Sequence, residues 1–218
     1  NYVSDIKKLK QAPTTISRIE ICIGGWGNES FSRIKELINS HGAGSGTILY
    51  KNFKALKNAI PEIDAVNNDD EYCYDVATAV KFHQMMYELG YKTTIAPYTN
   101  RSFWENLVSQ LGDRCDRVLI QCYDGGAGNN PSDWHLGNRA VHAGRMNYQG
   151  GGVDACVAQM ESWKKNNGVS GGFIWLYNDE TWNLNQWATR MLRVFGTKKC
   201  NSLCRFRLSW LFKIIGRG

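Results

Sequence analysis

Short runs of apolar residues alternate along the chain with stretches in which apolar residues recur every three or four positions. The apolar runs have the length of buried strands and cover residues 16–25, 60–71, 91–98, 117–126, 139–148 and 171–179. The stretches with helical spacing cover residues 3–11, 30–41, 74–90, 102–112, 153–168 and 181–196. Strands that alternate with helices predict a parallel sheet covered by helices.

The polar clusters of the sequence follow the predicted strands, at their carboxyl ends. This is where a (β/α) barrel builds its active site. We therefore predict an α/β fold of the TIM-barrel type, with about six of its eight units present. A doubly wound sheet stays open as an alternative. Against it, the glycine-rich stretch 125–131 runs into Pro131, which makes a phosphate-binding loop there a weak interpretation.

The positive charge of the chain is concentrated at its carboxyl end. The 218 residues carry a formal net charge of +6, and six of the 26 basic residues lie in the segment 198–218, which has no acid. The remaining 20 basic residues balance the 20 acidic ones, so the predicted domain, residues 1–197, is neutral and no nucleic-acid partner is expected. The segment 198–218 is apolar and basic. Its alternatives are a short amphipathic helix on a membrane or on an exposed edge, and an artefact of the sequence.

The acidic stretch 63–75 carries the densest candidate chemistry. Asn67, Asp69 and Glu71 share parity, so in a strand their side chains lie on one face, while Asp64 and Asp70 have the other parity. In a barrel the shared face is the interior, and neighbouring carboxylates there keep Glu71 protonated, as a general acid needs. A solvated acidic loop is the alternative. A calcium loop is disfavoured because the central glycine is missing, and no metal or cofactor is expected.

Four motifs in this order resemble glycoside hydrolase family eighteen, the chitinases and endo-β-N-acetylglucosaminidases, over residues 16 to 190. Asp64, Asn67, Asp69 and Glu71 are similar to the family's DxxDxDxE signature, with Asn67 in place of an aspartate. The other three are Cys22 to Gly25, similar to SxGG on the third barrel strand, Gln121 to Asp124, similar to the sixth-strand motif, and Gly172 to Trp175, similar to the eighth strand.

The resemblance implies a retaining hydrolysis of β-linked N-acetylglucosamine in which the substrate's own acetamido group attacks. Glu71 would be the general acid and base, and Asp69 and Tyr123 would orient the acetamido group. The substrate-binding residues implied in the same way are Gln121, Asp124, Trp175, Asn67 and Gly25. The implied partner is a chitin-like oligosaccharide or a glycoprotein glycan, and the implied location is extracellular or at the cell surface.

Taken without the resemblance, several of these residues have ordinary structural interpretations. Tyr123 is equally a strand-end tyrosine, Trp175 and His142 are more often core residues, and Cys22 is expected to be a packing residue. Trp26 follows the glycine pair. Two interpretations of its side chain stay open, namely stacking on a sugar and covering the end of the barrel.

Three departures from the family pattern favour an alternative, a catalytically idle protein that binds N-acetylglucosamine glycans. Asn67 replaces a carboxylate, which is expected to lower or retune activity, and Cys22 replaces a serine. The first two barrel strands are also missing ahead of residue 16. The chain has no signal peptide and does not begin with Met, so an upstream segment is expected to be absent from it.

Overall fold

A computed structural model describes residues 2–177 and 183–196, together with the backbone of residues 210–213. Its strands are β1 (Ile19–Gly24), β2 (Ala65–Asp69), β3 (Lys92–Ile95), β4 (Cys115–Gln121), β5 (Ala140–Arg145), β6 (Gly171–Ile174) and β7 (Trp210–Lys213). Its helices are α1 (Tyr2–Lys8), α2 (Ser30–His41), α3 (Ile48–Ala59), α4 (Val76–Glu88), α5 (Arg101–Leu111), α6 (Asn147–Gly150), α7 (Val153–Asn167) and α8 (Leu184–Phe195).

The sheet follows the chain order from β1 to β6, and every neighbouring pair of strands is parallel. It curls into a half-barrel with helices on its outer side, consistent with an incomplete α/β barrel. Because all neighbouring strands are parallel, the carboxyl ends of all six strands lie at one end of the half-barrel. All six predicted strands are confirmed. β2 covers five of the twelve residues of its apolar run, and β4 begins two residues before its own run.

Two apolar clusters hold the helices against the outer face of the sheet. One joins α2 and α4 to β1 and β2 through residues such as Phe31, Ile34 and Phe82. The other joins α5, α7 and α8 to β3 through β6 and includes Trp104, Leu107, Met160 and Trp187. The inner face is different, because buried polar side chains from β1, β2 and β3 lie there, namely Glu20, Asn67 and Thr94.

Sequence reasoning missed α3, although two signals for it were available. Leu49, Phe53 and Leu56 recur at helical spacing, and in the structure Leu49 is buried while Phe53 and Leu56 pack partly buried against the first apolar cluster. The other signal is the cap, because the hydroxyl oxygen of Thr47 accepts a hydrogen bond from the Tyr50 N–H. The other predicted helices are confirmed to within three residues at each end.

Most of the predicted tail, residues 198–218, lies outside the described residues. Within it the backbone of Trp210–Lys213 forms β7, which runs parallel to β1 along that strand's outer edge. For these four residues the alternative of an amphipathic helix does not hold, since pairing with an open strand edge satisfies backbone groups that a helix would have satisfied internally. In the described part of the chain, no helix is both long and apolar enough to cross a membrane.

Arg139, just before β5, ties the end of α5 to the sheet, and we expect its removal to be costly. Its guanidinium donates hydrogen bonds to the backbone carbonyls of Val108, Gly112, Cys115 and Leu136. Arg139→Met keeps the aliphatic part and removes the guanidinium donor from these carbonyls, so the free energy of unfolding in urea should fall by about 1–3 kcal/mol. Arg193→Met, which removes an exposed ion pair with Glu161, is the control and should change it little. Equal stability of the two variants would contradict this role of Arg139.

Candidate active site

A cleft of about 570 Å³ opens at the carboxyl end of the half-barrel. Its walls come from the segments that follow five of the six strands, although those segments lie up to 150 residues apart in the chain. The described residues that line it are Trp26, Asp69, Glu71, Tyr98, Gln121, Tyr123, Asp124, Gly125 and Trp175. A concave site with aromatic walls and a few convergent polar groups is typical of a small-molecule or oligosaccharide site.

Asp69 ends β2 and lies on the inner face, as its parity predicts. The Gln121 side-chain nitrogen donates to its Oδ1 at 2.8 Å and also to the carbonyl of Ala96 at 2.8 Å. The Cys22 thiol contacts its Oδ2 at 3.6 Å. The carboxylate is thus held by side chains from β1 and β4, and Cys22 borders the site in addition to packing. Glu71, two residues beyond the strand, is half-buried in the cleft wall.

Tyr123 is buried at the base of the cleft, with its ring 6.2 Å from that of Trp175 and the two planes within 3° of parallel. Burial, together with the nearby carboxylates of Asp69 and Glu71, raises the pKa of Tyr123 well above its ordinary value of 10. The phenol is therefore neutral at physiological pH, and its O–H is available to donate a hydrogen bond. Trp175 forms a flat apolar wall beside it.

The segment that carries Glu71 is shaped by the residue beside it. The Asp70 carboxylate accepts hydrogen bonds from the N–H groups of Tyr72, Cys73 and Tyr74 at 2.8–3.0 Å. The Asp70 N–H in turn donates to Asn68 Oδ1 at 2.9 Å, and the Asn68 amide nitrogen lies 3.1 Å from Nε2 of the buried His83. Asn68 and Asp70 therefore fix the loop that carries Glu71. The alternate residues Asn67, Asp69 and Glu71 line the cleft or lie beneath it.

The glycine pair Gly24–Gly25 at the end of β1 closes tightly over the end of β2. Gly24 has φ +101°, and a Cβ there would lie 2.3 Å from the backbone oxygen of Asp69. The Gly25 N–H donates to that oxygen at 2.7 Å. Only glycine permits this approach, because any side chain at position 24 would collide with the Asp69 backbone.

Asp124 lies at the cleft rim in a left-handed conformation, φ +45°. Its position is set by Gln149, which sequence reasoning missed. The Asp124 N–H donates to Gln149 Oε1 at 2.6 Å, and the Gln149 amide nitrogen donates back to Asp124 Oδ1.

Tyr98 was missed as well, and no motif indicated it. The Tyr98 ring packs over Gly125, and a Cβ on that glycine would lie 2.8 Å from the ring. The only sequence signal for Tyr98 was its position just after a predicted strand.

The structure brings together six of the eight predicted site residues. They are Asp69, Glu71, Gln121, Tyr123, Asp124 and Trp175. The other two do not line the cleft. Asn67 is fully buried beneath Asp69, and Gly25 is buried with its N–H on the Asp69 backbone. Asp64 lies at the opposite end of β2, where its Oδ2 accepts hydrogen bonds from Lys10 and from the Ile19 N–H.

The acidic charge of the cleft and the exposed ring at its rim restrict the kinds of ligand that it can bind. Asp69, Glu71 and Asp124 are its acidic side chains, and among the described lining residues there is no Lys or Arg. An anionic ligand such as a nucleic acid would meet like charge there. Trp26 is 84% exposed at the rim, which leaves its ring face free for an apolar ligand surface.

No family model matches the chain, and neither a curated protein nor a solved structure matches it. The resemblance to glycoside hydrolase family eighteen therefore rests on the residues themselves.

Burial of His83 should make the protein less stable in mild acid. Burial lowers the pKa of His83 from 6.5 to about 3. The unfolded chain binds a proton at this residue below about pH 6.5, whereas the folded chain does so only near pH 3. The free energy of unfolding therefore falls as pH decreases through this interval, by up to about 1.4 kcal/mol per pH unit for one histidine.

This dependence is measured by urea unfolding at pH 7 and pH 5, in the wild type and in His83→Gln. The variant should lose part of the decrease and keep the part that comes from His142, whose pKa burial also lowers to about 3. His41→Gln, at an exposed position, is the matched control and should behave as wild type. The same pH dependence in His83→Gln and wild type would refute the assignment.

Proposed function

We propose that the protein is a glycoside hydrolase that cleaves β-linked N-acetylglucosamine by a substrate-assisted, retaining mechanism. The observation that carries the proposal is the convergence of Asp69, Glu71 and Tyr123 in one cleft with Trp175 beside them. Three independent motifs of the sequence supply these residues. Their chemistry matches a neutral sugar that carries an acetamido group, and the acidic walls of the cleft disfavour anionic ligands.

In the first step Glu71 donates a proton to the glycosidic oxygen while the acetamido oxygen of the substrate attacks the anomeric carbon. The carbon–oxygen bond to the leaving sugar breaks, and a cyclic oxazolinium ion forms. Asp69, held by Gln121 and Cys22, accepts a hydrogen bond from the acetamido nitrogen and balances the positive charge. The neutral Tyr123 phenol donates to the acetamido oxygen, and Trp175 packs against the sugar ring.

In the second step the Glu71 carboxylate takes a proton from water, which attacks the anomeric carbon from the face that the leaving sugar vacated. The ring of the intermediate opens and the acetamido group is regenerated. Two displacements at the same carbon retain its configuration, and no carboxylate of the protein becomes bound to the sugar. Asp124, clamped by Gln149, is placed to accept a hydrogen bond from a hydroxyl of the same sugar.

The same resemblance relates the half-barrel to a TIM-type barrel. In this proposal β1 to β6 correspond to the third to eighth strands of an eight-stranded barrel. The order of the motifs supports it, because the glycine pair follows β1, the acidic motif ends β2, and Trp175 follows β6. The substrate is a chitin-like chain or an N-linked glycan, and the proposed location is extracellular or at the cell surface.

The alternative is a protein that binds such glycans without cleaving them. The specific observation in its favour is Asn67, which replaces the carboxylate of the family motif and has a side-chain oxygen without a hydrogen-bond partner in the described part of the chain.

Glu71→Gln should separate the two functions. The substitution preserves shape and removes the proton donor, so turnover of a fluorogenic di-N-acetylchitobioside and of a high-mannose glycopeptide should fall at least about 100-fold. Binding of N-acetylglucosamine oligomers, measured by calorimetry, should persist. The control is Glu161→Gln, an exposed carboxyl on α7, which should keep wild-type turnover. Binding without turnover in the wild type would favour the binding protein, and absence of both would refute the proposal.

Tyr123→Phe tests the acetamido contact. The ring and its stacking on Trp175 remain and only the hydroxyl is lost, so kcat should fall by about 10- to 1000-fold with a smaller change in KM. Tyr87→Phe, at an exposed position on α4, is the matched control. A normal kcat in Tyr123→Phe would remove this residue from the mechanism.

A further inference from the structure

Three buried polar residues form a hydrogen-bonded chain behind the end of β2. Asn68 lies on β2, Asp70 follows that strand, and His83 lies on α4. Their exposed fractions are 0%, 3% and 1%. Polar groups buried this deeply destabilise a protein unless they are hydrogen-bonded. The proposed mechanism uses none of the three residues, so their presence needs an explanation of its own.

The direction of each hydrogen bond in this chain follows from one backbone group. The Asp70 N–H can only donate, so the Asn68 atom 2.9 Å from it is the side-chain oxygen. The Asn68 atom 3.1 Å from His83 Nε2 is therefore the amide nitrogen, which donates and does not accept. His83 Nε2 must accept this hydrogen bond, and it carries no proton.

His83 is therefore the neutral tautomer with its proton on Nδ1. The low pKa of about 3 that burial gives this residue agrees with a neutral ring. Nδ1 is buried and has no hydrogen-bond partner in the described part of the chain. A buried N–H without a partner is destabilising, and an apolar side chain at this position would avoid it. The ring retains this unpaired nitrogen on one side while it accepts the Asn68 N–H on the other.

The opposite end of the chain is the loop that carries Glu71. The Asp70 carboxylate accepts hydrogen bonds at 2.8–3.0 Å from three successive backbone N–H groups, those of Tyr72, Cys73 and Tyr74. Tyr74 has a left-handed backbone, φ +47°, which is uncommon for a residue other than glycine and needs such support. The direction of the Asp70 side chain therefore sets the path of the loop on which Glu71 lies.

We propose that His83 is a positioning residue that acts on the Glu71 loop through Asn68. By accepting the Asn68 N–H, the ring fixes the amide with its oxygen toward the Asp70 N–H, and Asp70 in turn holds the loop. The meaning of this chain for catalysis rests on the proposed function, in which the Glu71 carboxyl must lie at the glycosidic oxygen. The hydrogen bonds themselves are independent of that function.

Two substitutions of His83 separate hydrogen bonding from packing. His83→Gln carries a side-chain oxygen that can take the place of Nε2, so it keeps an acceptor for the Asn68 N–H. His83→Leu fills a similar volume and suits a helix, but it has no acceptor. If the site needed only packing, the apolar leucine would be the better tolerated of the two. The proposed role predicts the reverse order.

The first measurement is the solvent exchange of the Tyr72, Cys73 and Tyr74 amide protons, followed by NMR at neutral pH. In His83→Leu these protons should exchange about 3- to 10-fold faster, the equivalent of one net hydrogen bond, and in His83→Gln they should exchange as in the wild type. The Tyr50 N–H, held by the cap of α3, is the internal control and should not change. Wild-type exchange in His83→Leu, or equal acceleration in both variants, would overturn the proposal.

The second measurement is turnover of the fluorogenic di-N-acetylchitobioside. Displacement of Glu71 affects the transition state more than substrate binding, so kcat should fall about 10- to 100-fold in His83→Leu with little change in KM. His83→Gln should restore most of kcat. A raised KM at constant kcat would contradict a role in positioning the general acid.

A measurement on the wild type tests the proposal even if neither variant folds. Long-range ¹H–¹⁵N NMR of the His83 ring should show a proton on Nδ1 and none on Nε2, and a proton on Nε2 would refute the assigned directions. Neither amide exchange nor the ring spectrum needs a substrate. A wild type without turnover that gives these NMR results would reject the proposed function and retain the role of His83 in holding the loop.

Discussion

The end of β2 is the point on which the rest of the site depends. At Asp69 the backbone oxygen accepts the Gly25 N–H, and the side chain accepts hydrogen bonds from Gln121 and Cys22. Gln121 also donates to the carbonyl of Ala96 beyond β3. Asp69 and Gln121 together thus connect four neighbouring strands at the end where the cleft opens. A carboxylate buried this deeply is tolerated because its oxygens are hydrogen-bonded, and those bonds also fix its direction.

Below this point the half-barrel interior is polar, which is unusual for a buried layer. Glu20 is compensated by Arg18, and Arg18 is held from the other side by both oxygens of Asp116. Paired charges in a low-dielectric interior tolerate little change of geometry, because the loss of one partner leaves the other buried and uncompensated. This rigidity extends through Thr94, which is hydrogen-bonded to both Glu20 and Asn67, so the support of the site reaches from the bottom of the sheet to the cleft.

Residues that face the cleft alternate with supporting residues along the acidic stretch. Asp69 and Glu71 face the cleft, while Asn68 and Asp70 point the other way and fix the loop through His83 and three backbone N–H groups. The proposed hydrolase needs both sets, because a general acid acts only when its carboxyl group is held at the bond that it protonates. Two rings complete the site, with Trp175 parallel to Tyr123 at the base of the cleft.

The sequence by itself determined the six strands and most of the helices, because period and parity are local properties of the chain. Parity also placed Asp69 and Glu71 on one face, whereas the other cleft residues of the strand-end motifs were expected only through the resemblance of those motifs to a known family. α3 was missed although its apolar residues recur at helical spacing. The sequence did not indicate Tyr98 and Gln149, whose roles arise from contacts between distant segments. Gly25 and Asn67 were expected at the ligand, and tertiary structure placed them behind Asp69. The orientation of the Asn68 amide was likewise decided only by contacts of the folded chain, since a hydrogen-bond direction depends on which partners the fold brings together.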